Sequence, residues 1–593
     1  MPGLPHARAR SHPSRMTAPG RWVLLAWLVA PGLGCSGDVG PGTDNGPPIG
    51  SPGGSNPSGV AGMTGGVGAP GASGSGAAGT GHPTVPSNPT ACMPKLPQRV
   101  VLLNDLQHAN AVTSTLGETA RDPELQISDD TKPFAQKGLV VSTSLVHERM
   151  DQGEFAAGTL DTRFTEVTGC PTSGDAACAR GFLERFAEKA FRRPVDSAEI
   201  DDLMKVFEVG MKSDFQTGVK LAVQALLGAP SFTYRTEIGQ VDASGMAARL
   251  TAYELANELA FMLTDAPPDA ELYASAKSGA LSSAGELEKQ VERMLGLPAV
   301  QESLKKTLMA AWQIGNIFGT VKDPGMFPQY NAALQSSMYR ETDAFLQAVL
   351  WTRDAPVSEL LTSRETFVDT ALAAIYGVQA PRGGAAGQLM PVTLPAERSG
   401  LLTQASVLSL LSRTDNTSVV ARGLFVRGAL LCLPKIPGPP ETLAGEIMAL
   451  LEADMTERER ADVRGTTQPC SGCHKQFDQF GLLLEKYDPL GRHRTELDGE
   501  PIDTNVSLQG LGSFMGNFPD AVTFAKAAAA APEFTSCLTR NLIAYGTGDD
   551  ALTTADCQVS GPVSQLPQSP TMKDLVRAAT ASPALTYRTL EAP

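Results

Sequence analysis

Cys470-Ser471-Gly472-Cys473-His474 reads C-x-x-C-H. Two thiols at this spacing can each form a thioether to a haem vinyl group, and the imidazole that follows is then held beneath the ring to ligate the iron. Cys470, Cys473 and His474 are therefore candidates for attaching one covalent haem c, with His474 as the metal ligand. Two other readings use the same thiols. A structural zinc site needs two further ligands at recognisable spacing, and the chain holds no second C-x-x-C and no H-x-x-x-H. A disulfide or redox dithiol has no use for the adjacent His474.

Outward from the motif, Glu457 to Val463 has a helical pattern leading into it. Phe477, Phe480, Leu482, Leu483, Leu484, Tyr487 and Leu490 follow it and could wall an apolar haem pocket; plain core is the other reading of such a run. A second axial ligand would make an electron carrier, whereas an open position would admit oxygen, peroxide or a small molecule. Met515, in Gly512-Ser-Phe-Met-Gly516, is the first candidate for that position and His493 the second; His108 and His147 are distant in sequence. Met515 is also one of eighteen methionines, any of which can simply fill a gap.

At 593 residues and 42% hydrophobic content the chain is long enough for several domains with real cores. A net charge of -15 and the lack of a basic run argue against nucleic acid as a partner. Arg8, Arg10, Arg15 and Arg21 precede the apolar run Trp22 to Ala30 and then Gly32-Leu33-Gly34-Cys35, the layout of an export signal too short to anchor as a span. Cys35 stands where a bacterial lipoprotein is cut and acylated, so residues 1–35 read as an export signal of lipoprotein type, with membrane attachment through that lipid only. Residues 36–91 are almost wholly Gly, Pro, Ser, Thr and small residues, which bury too little apolar surface to fold, and read as a flexible tether.

Export suits the cysteines. Beyond Cys35 and the motif pair there are six, Cys92, Cys170, Cys178, Cys432, Cys537 and Cys557, in a compartment that permits disulfides. Proximity in sequence suggests Cys170 with Cys178 and Cys537 with Cys557, leaving Cys92 with Cys432.

The fold class is mainly α, several helical domains in series with a cytochrome-c-like haem module near the C-terminus. Phe182, Phe186 and Phe191 mark one helix face, ended by Arg192-Arg193-Pro194; Ser197 caps the next helix, through Met211, and Gln216 to Leu227 form a third. Thr251 and Glu254 form a capping-box start for Leu255 to Leu263. Helical patterns recur at 284–295, 301–318, 332–351, 401–412, 420–431, 518–529 and 534–545, with strand signals nearly absent. The expected division is an N-terminal helical domain 92–240, a central helical domain 241–390, a helical domain 391–510 carrying the haem motif, and a C-terminal helical domain 511–593.

Six stretches in order resemble a bacterial family, of planctomycete and myxobacterial type, of exported proteins built from consecutive domains of unknown function and ending in a cytochrome-c-like module. They are Ala190-Phe-Arg-Arg-Pro-Val195, Leu226-Leu-Gly-Ala-Pro-Ser-Phe-Thr-Tyr-Arg235, Leu250-Thr-Ala-Tyr-Glu-Leu-Ala-Asn-Glu-Leu259, Arg398-Ser-Gly-Leu-Leu-Thr-Gln404, Arg422-Gly-Leu-Phe-Val-Arg427 with Leu431-Cys432, and Glu485-Lys-Tyr-Asp-Pro-Leu-Gly-Arg492. The resemblance implies haem attachment at Cys470 and Cys473, His474 as proximal ligand, and a redox role without a defined substrate. Relatives often carry a His six residues before the first haem Cys, where this chain has Arg464.

No G-x-S-x-G with placed partners, no H-E-x-x-H and no phosphate-binding glycine loop is present. The leading expectation is single-electron transfer in the periplasm or at the outer membrane surface, with a redox protein or a small electron donor or acceptor as partner. Rival expectations are a haem-dependent peroxidase or oxygenase acting on an organic or polymeric substrate, and an envelope scaffold lipoprotein without redox activity.

Overall fold

In the computed structural model the described residues are 92–93, 95–123, 142–243, 245–380, 387–438 and 455–590. The expected export signal, Cys35 and the tether lie outside the described residues. The described chain is mainly α, with short two- and three-stranded sheets. No helix among the described residues is long and apolar enough to cross a membrane.

The N-terminal layer starts with a strand, β1 (Arg99–Leu102), and helix α1 (Asp105–Leu116), whose Asn104 cap and Gln107 form a capping box. Helices α2 (Thr143–Gly158) and α3 (Leu160–Thr168) occupy a stretch that gives no clear reading in sequence. The buried side of α2 is Arg149, Gln152, Gly153, Ala156 and Ala157, too small or too polar to show as apolar periodicity. Helices α4 (Ala176–Phe191), α5 (Ser197–Met211) and α6 (Phe215–Leu227) lie where the aromatic spacing expects them. The cap of α5 is Asp196, not Ser197, because the Asp196 carboxylate accepts from Glu199 N while Glu199 reaches back to Asp196 N. Phe182, Phe186, Phe207, Phe215 and Leu226 fill a core of their own with Phe232 and Phe261.

Strand β2 (Tyr234–Glu237) returns antiparallel to β1, and β3 (Ala247–Arg249) pairs with the C-terminal strand Tyr587–Thr589. Helix α7 (Ala252–Thr264) begins at Thr251 with the Glu254 capping box read from sequence. A second core draws its residues from Leu250 at one end to Leu585 at the other. It joins α7, α8 (Ala284–Leu295), α9 (Pro298–Ala311), α10 (Ala332–Gln347), α11 (Val419–Leu424), α12 (Glu457–Thr466), α13 (Asp478–Leu482), α14 (Ala521–Ala530) and α15 (Pro532–Thr547). Position 510 lies between Leu508 and Leu511, both in this core, while Leu389 and Leu394, either side of 390, pack in a third core with Val368, Leu372 and Tyr376. Leu408, Phe480, Phe514, Phe524 and Leu542 all contribute to the second core, so the motif segment shares its interior with what precedes and follows it.

The beginning and end of the described chain are tied together in the interior. Glu237, on β2, lies 2.7 Å from both Arg99 Nε and Arg588 Nε, while Glu258, on α7, lies 3.2 Å from Arg235 Nη1 and 3.4 Å from Arg588 Nη2. Burial opposes a charge on Glu237, but the guanidinium groups of Arg588, Arg235 and Arg99 hold its carboxyl down at about 2. Charges this deeply buried persist only when each has partners of opposite sign.

Disulfides add a second tie and correct the pairing expected from sequence. Cys170 joins Cys178, whereas Cys557 joins Cys92 and Cys537 joins Cys432, in place of Cys537 with Cys557 and Cys92 with Cys432. The reason is topological. The strand Tyr587–Thr589 and the 557–563 helix lie beside the N-terminal segment, where Gln558 also donates to the Met93 carbonyl, while Cys537, in α15, faces the 425–430 segment. Three disulfides suit an oxidising compartment.

His108, in α1, is 1% exposed, packs edge-on against Phe232 at 5.4 Å, and neither ring nitrogen makes a hydrogen bond of normal geometry. Burial first, then the charges of Arg149 and Arg192, hold its pKa down at about 3. The unfolded chain, with an ordinary imidazole near 6.5, therefore takes the proton first. Stability is full above pH 6.5 and falls as pH drops toward 3. We expect wild-type protein to lose about 1.4 kcal/mol more per pH unit than His108→Phe between pH 6 and 4, read from urea unfolding at each pH. Parallel curves for the two proteins would contradict this placement.

Candidate functional site

The site is built on a helix, a turn and a second helix. Thr456 caps α12 with Glu459 completing a capping box, and Arg464 lies in the last turn of α12. The motif forms a single short turn of helix, Ser471–His474, and α13 opens at Asp478. What fixes α13 is close backbone approach to α11. A Cβ on Gly481 would overlap the Val419 carbonyl, and one on Gly423 would overlap the Phe477 carbonyl. Glycine is required at both crossings because the two helices touch there through their backbones.

Buried arginines hold the chain around this crossing. Arg422, fully buried on α11, donates through Nη1 to the carbonyls of Leu484 at 2.6 Å and Tyr487 at 2.8 Å, and through Nη2 to Asp488 O at 3.2 Å and Ser412 Oγ at 3.1 Å. Burial pulls its pKa down to about 10. Arg427 reaches Gln476, two residues past His474, at 3.1 Å. Arg398 is sandwiched between Tyr376 at 4.8 Å and Tyr487 at 5.0 Å. The stretches around 398, 422 and 485 noted in the sequence thus meet in space.

At the centre, Asp478 has two partners. Arg464 Nε donates to Asp478 Oδ2 at 2.9 Å, and His474 Nδ1 lies 3.1 Å from each carboxylate oxygen. Asp478 is 1% exposed and Arg464 is 6% exposed, while the His474 ring is half-buried with one face at 4.9 Å from Phe477. The interaction at Nδ1 leaves Nε2 as the nitrogen available to a metal.

Cys470 and Cys473 are unpaired, and the other six described cysteines are all in disulfides. Two unpaired thiols one helical turn apart, followed by an imidazole anchored through Nδ1, fit the donor set of a covalently held haem.

Other residues named from sequence lie elsewhere. Met515 is 77% exposed on the hairpin formed by β4 (Val506–Leu511) and β5 (Phe514–Phe518). Its neighbour Phe514 points inward onto Phe480 and Phe524, so strand alternation turns Met515 outward to solvent. His493 sits against Tyr487 at 5.6 Å, with burial lowering its pKa, and it makes no contact with His474. The apolar run after the motif is core. Phe480 and Leu482 are wholly buried and Leu483 and Leu484 nearly so, packed into the common interior. Asp478 is the site residue that the sequence reading missed, and Arg464 stands there only as a departure from the family resemblance. The signal for Asp478 was available in the His474 and Asp478 spacing of four, which puts both on one side of a helical turn.

The geometry makes Gly481 a sensitive position. Gly481→Ala should cost about 3 kcal/mol in urea unfolding, since the overlapping atom belongs to backbone and cannot rotate away. A midpoint equal to that of wild type would show that α11 and α13 do not cross this closely.

Comparison with protein families gives three matches in sequence order. Residues 178–237 match PSD5, a protein of unknown function (DUF1595), and residues 250–378 match PSD4, a protein of unknown function (DUF1592). Residues 398–497 match PSCyt3, a protein of unknown function (DUF1588), a span that contains Arg464, Cys470, Cys473, His474 and Asp478 but not Met515. No curated protein and no solved structure matches the chain. The three matches in this order fit a planctomycete-type multi-domain family of unknown function.

Proposed function

We propose that this protein is an exported c-type haem protein that passes single electrons in the cell envelope, tethered through a lipid on Cys35. The observation that carries the reading is the pair of unpaired thiols, Cys470 and Cys473, in a chain whose other described cysteines are all oxidised. Thiols left out of the disulfides, one helical turn apart and followed directly by His474, are the groups that thioether bonds to a haem would use. The PSCyt3 match over this segment supports it through its cytochrome-like name.

A haem held there supplies a one-electron iron couple. The chain's part is to hold and orient. Cys470 and Cys473 would hold the haem and His474 would offer it Nε2, while Asp478 sets the imidazole's orientation through Nδ1. Arg422 and the Gly481 crossing keep this segment from moving when charge changes, which lowers the reorganisation that electron transfer requires. The partner is a redox protein or a small donor or acceptor that reaches the half-buried side of His474.

Protein produced in a host with a working c-haem assembly pathway should give a haem-stained band after denaturing electrophoresis. The double variant Cys470→Ala, Cys473→Ala should give none at equal protein load. No band from wild type, or a band that survives the double substitution, would refute the assignment.

A further inference from the structure

Asp478 is a carboxylate sealed in the interior with two partners, one cationic and one the imidazole of the haem motif. A buried carboxylate takes hydrogen bonds from whatever donors surround it, because leaving one unpaired costs several kcal/mol. Arg464 is committed to it in return. Its Nε donates to Asp478, and its buried Nη2 makes no hydrogen bond. The result is a three-member chain from Arg464 through Asp478 to His474, held between the last turn of α12 and the first residue of α13.

The acceptor at Nδ1 decides how strongly an imidazole donates electrons through Nε2. A carboxylate draws the Nδ1 proton harder than a carbonyl or water does, giving the ring anionic character and favouring the more oxidised metal. A guanidinium bound to the same carboxylate works the other way, by holding part of its negative charge. Arg464 faces the carboxylate rather than the imidazole.

Resting on the haem reading above, we infer that Asp478 is a positioning residue that lowers the reduction potential of the site through His474, and that Arg464 sets how far it does so. The two residues act in opposite directions. Removing the carboxylate frees the imidazole from its acceptor and raises the potential. Removing the guanidinium leaves the carboxylate wholly to His474 and lowers it.

The test uses the full chain matured with haem, with covalent attachment first confirmed by haem staining, then spectroelectrochemical titration of Asp478→Asn, Arg464→Met, Arg464→Lys and, as control, Asp462→Asn on the exposed side of α12. Asp478→Asn should shift the midpoint to a more positive value, Arg464→Met to a more negative one, and Arg464→Lys and Asp462→Asn should stay near wild type. Resonance Raman spectra of the ferrous protein separate a hydrogen bond from through-space charge: the iron–imidazole stretch should fall in Asp478→Asn and rise in Arg464→Met. If Asp478→Asn does not retain haem, the sign of the Arg464→Met shift decides alone. Shifts of the same sign in both variants, or midpoints and stretches no different from Asp462→Asn, would overturn the role of Asp478 and leave the haem assignment standing. Wild type without covalent haem would overturn both.

Discussion

A guanidinium cut off from water has only the protein's own acceptors to turn to, and the buried arginines of this fold draw separate pieces of chain together on that account. Arg192 donates to the carbonyls of Ala190, Ser231, Phe232 and Tyr234, Arg235 pairs with Glu258, Arg398 stacks on Tyr487, and Arg422 gathers the carbonyls of Leu484, Tyr487 and Asp488. Apart from Arg192 with Ala190 and Arg422 with Leu484, these contacts cross between two of the six stretches that stand out in the sequence. The stretches therefore describe junctions, places where one piece of chain must present acceptors to a cation on another.

The motif sits at such a junction. Arg422 and Arg427 hold the chain beyond His474, and the backbone contact of α11 with α13 fixes where Asp478 begins its helix. Placement of Asp478 then fixes the imidazole and engages Arg464. The motif segment shares its interior with helices before and after it, so the side chains around the site are close-packed on both sides.

Much of this was legible in the sequence where the determinants are local. The helices α4 to α6 follow from aromatic spacing, and Thr251 with Glu254 announced α7, because capping and amphipathicity act within a turn or two. The disulfide partners of Cys537 and Cys557 were not legible, since Cys557 depends on the ends of the described chain lying side by side and Cys537 on α15 packing against the 425–430 segment. Met515 carried a cytochrome-like context that the strand alternation of its hairpin turns to solvent, and the leucines after His474, readable as haem wall or as core, lie buried in the common interior with Phe514 and Phe524. The short strands escaped notice because segments of two to six residues are too brief to show a period.

The central claim is that Cys470 and Cys473 are kept as thiols for bonding to a porphyrin. Trypsin cuts after Arg464 and Lys475, releasing both sulfurs and His474 in one peptide, 465–475. Mass spectrometry of that peptide, from protein matured with a working c-haem assembly system, should show it heavier by one haem. The unmodified peptide, or one two hydrogens lighter from a Cys470–Cys473 disulfide, would contradict the account.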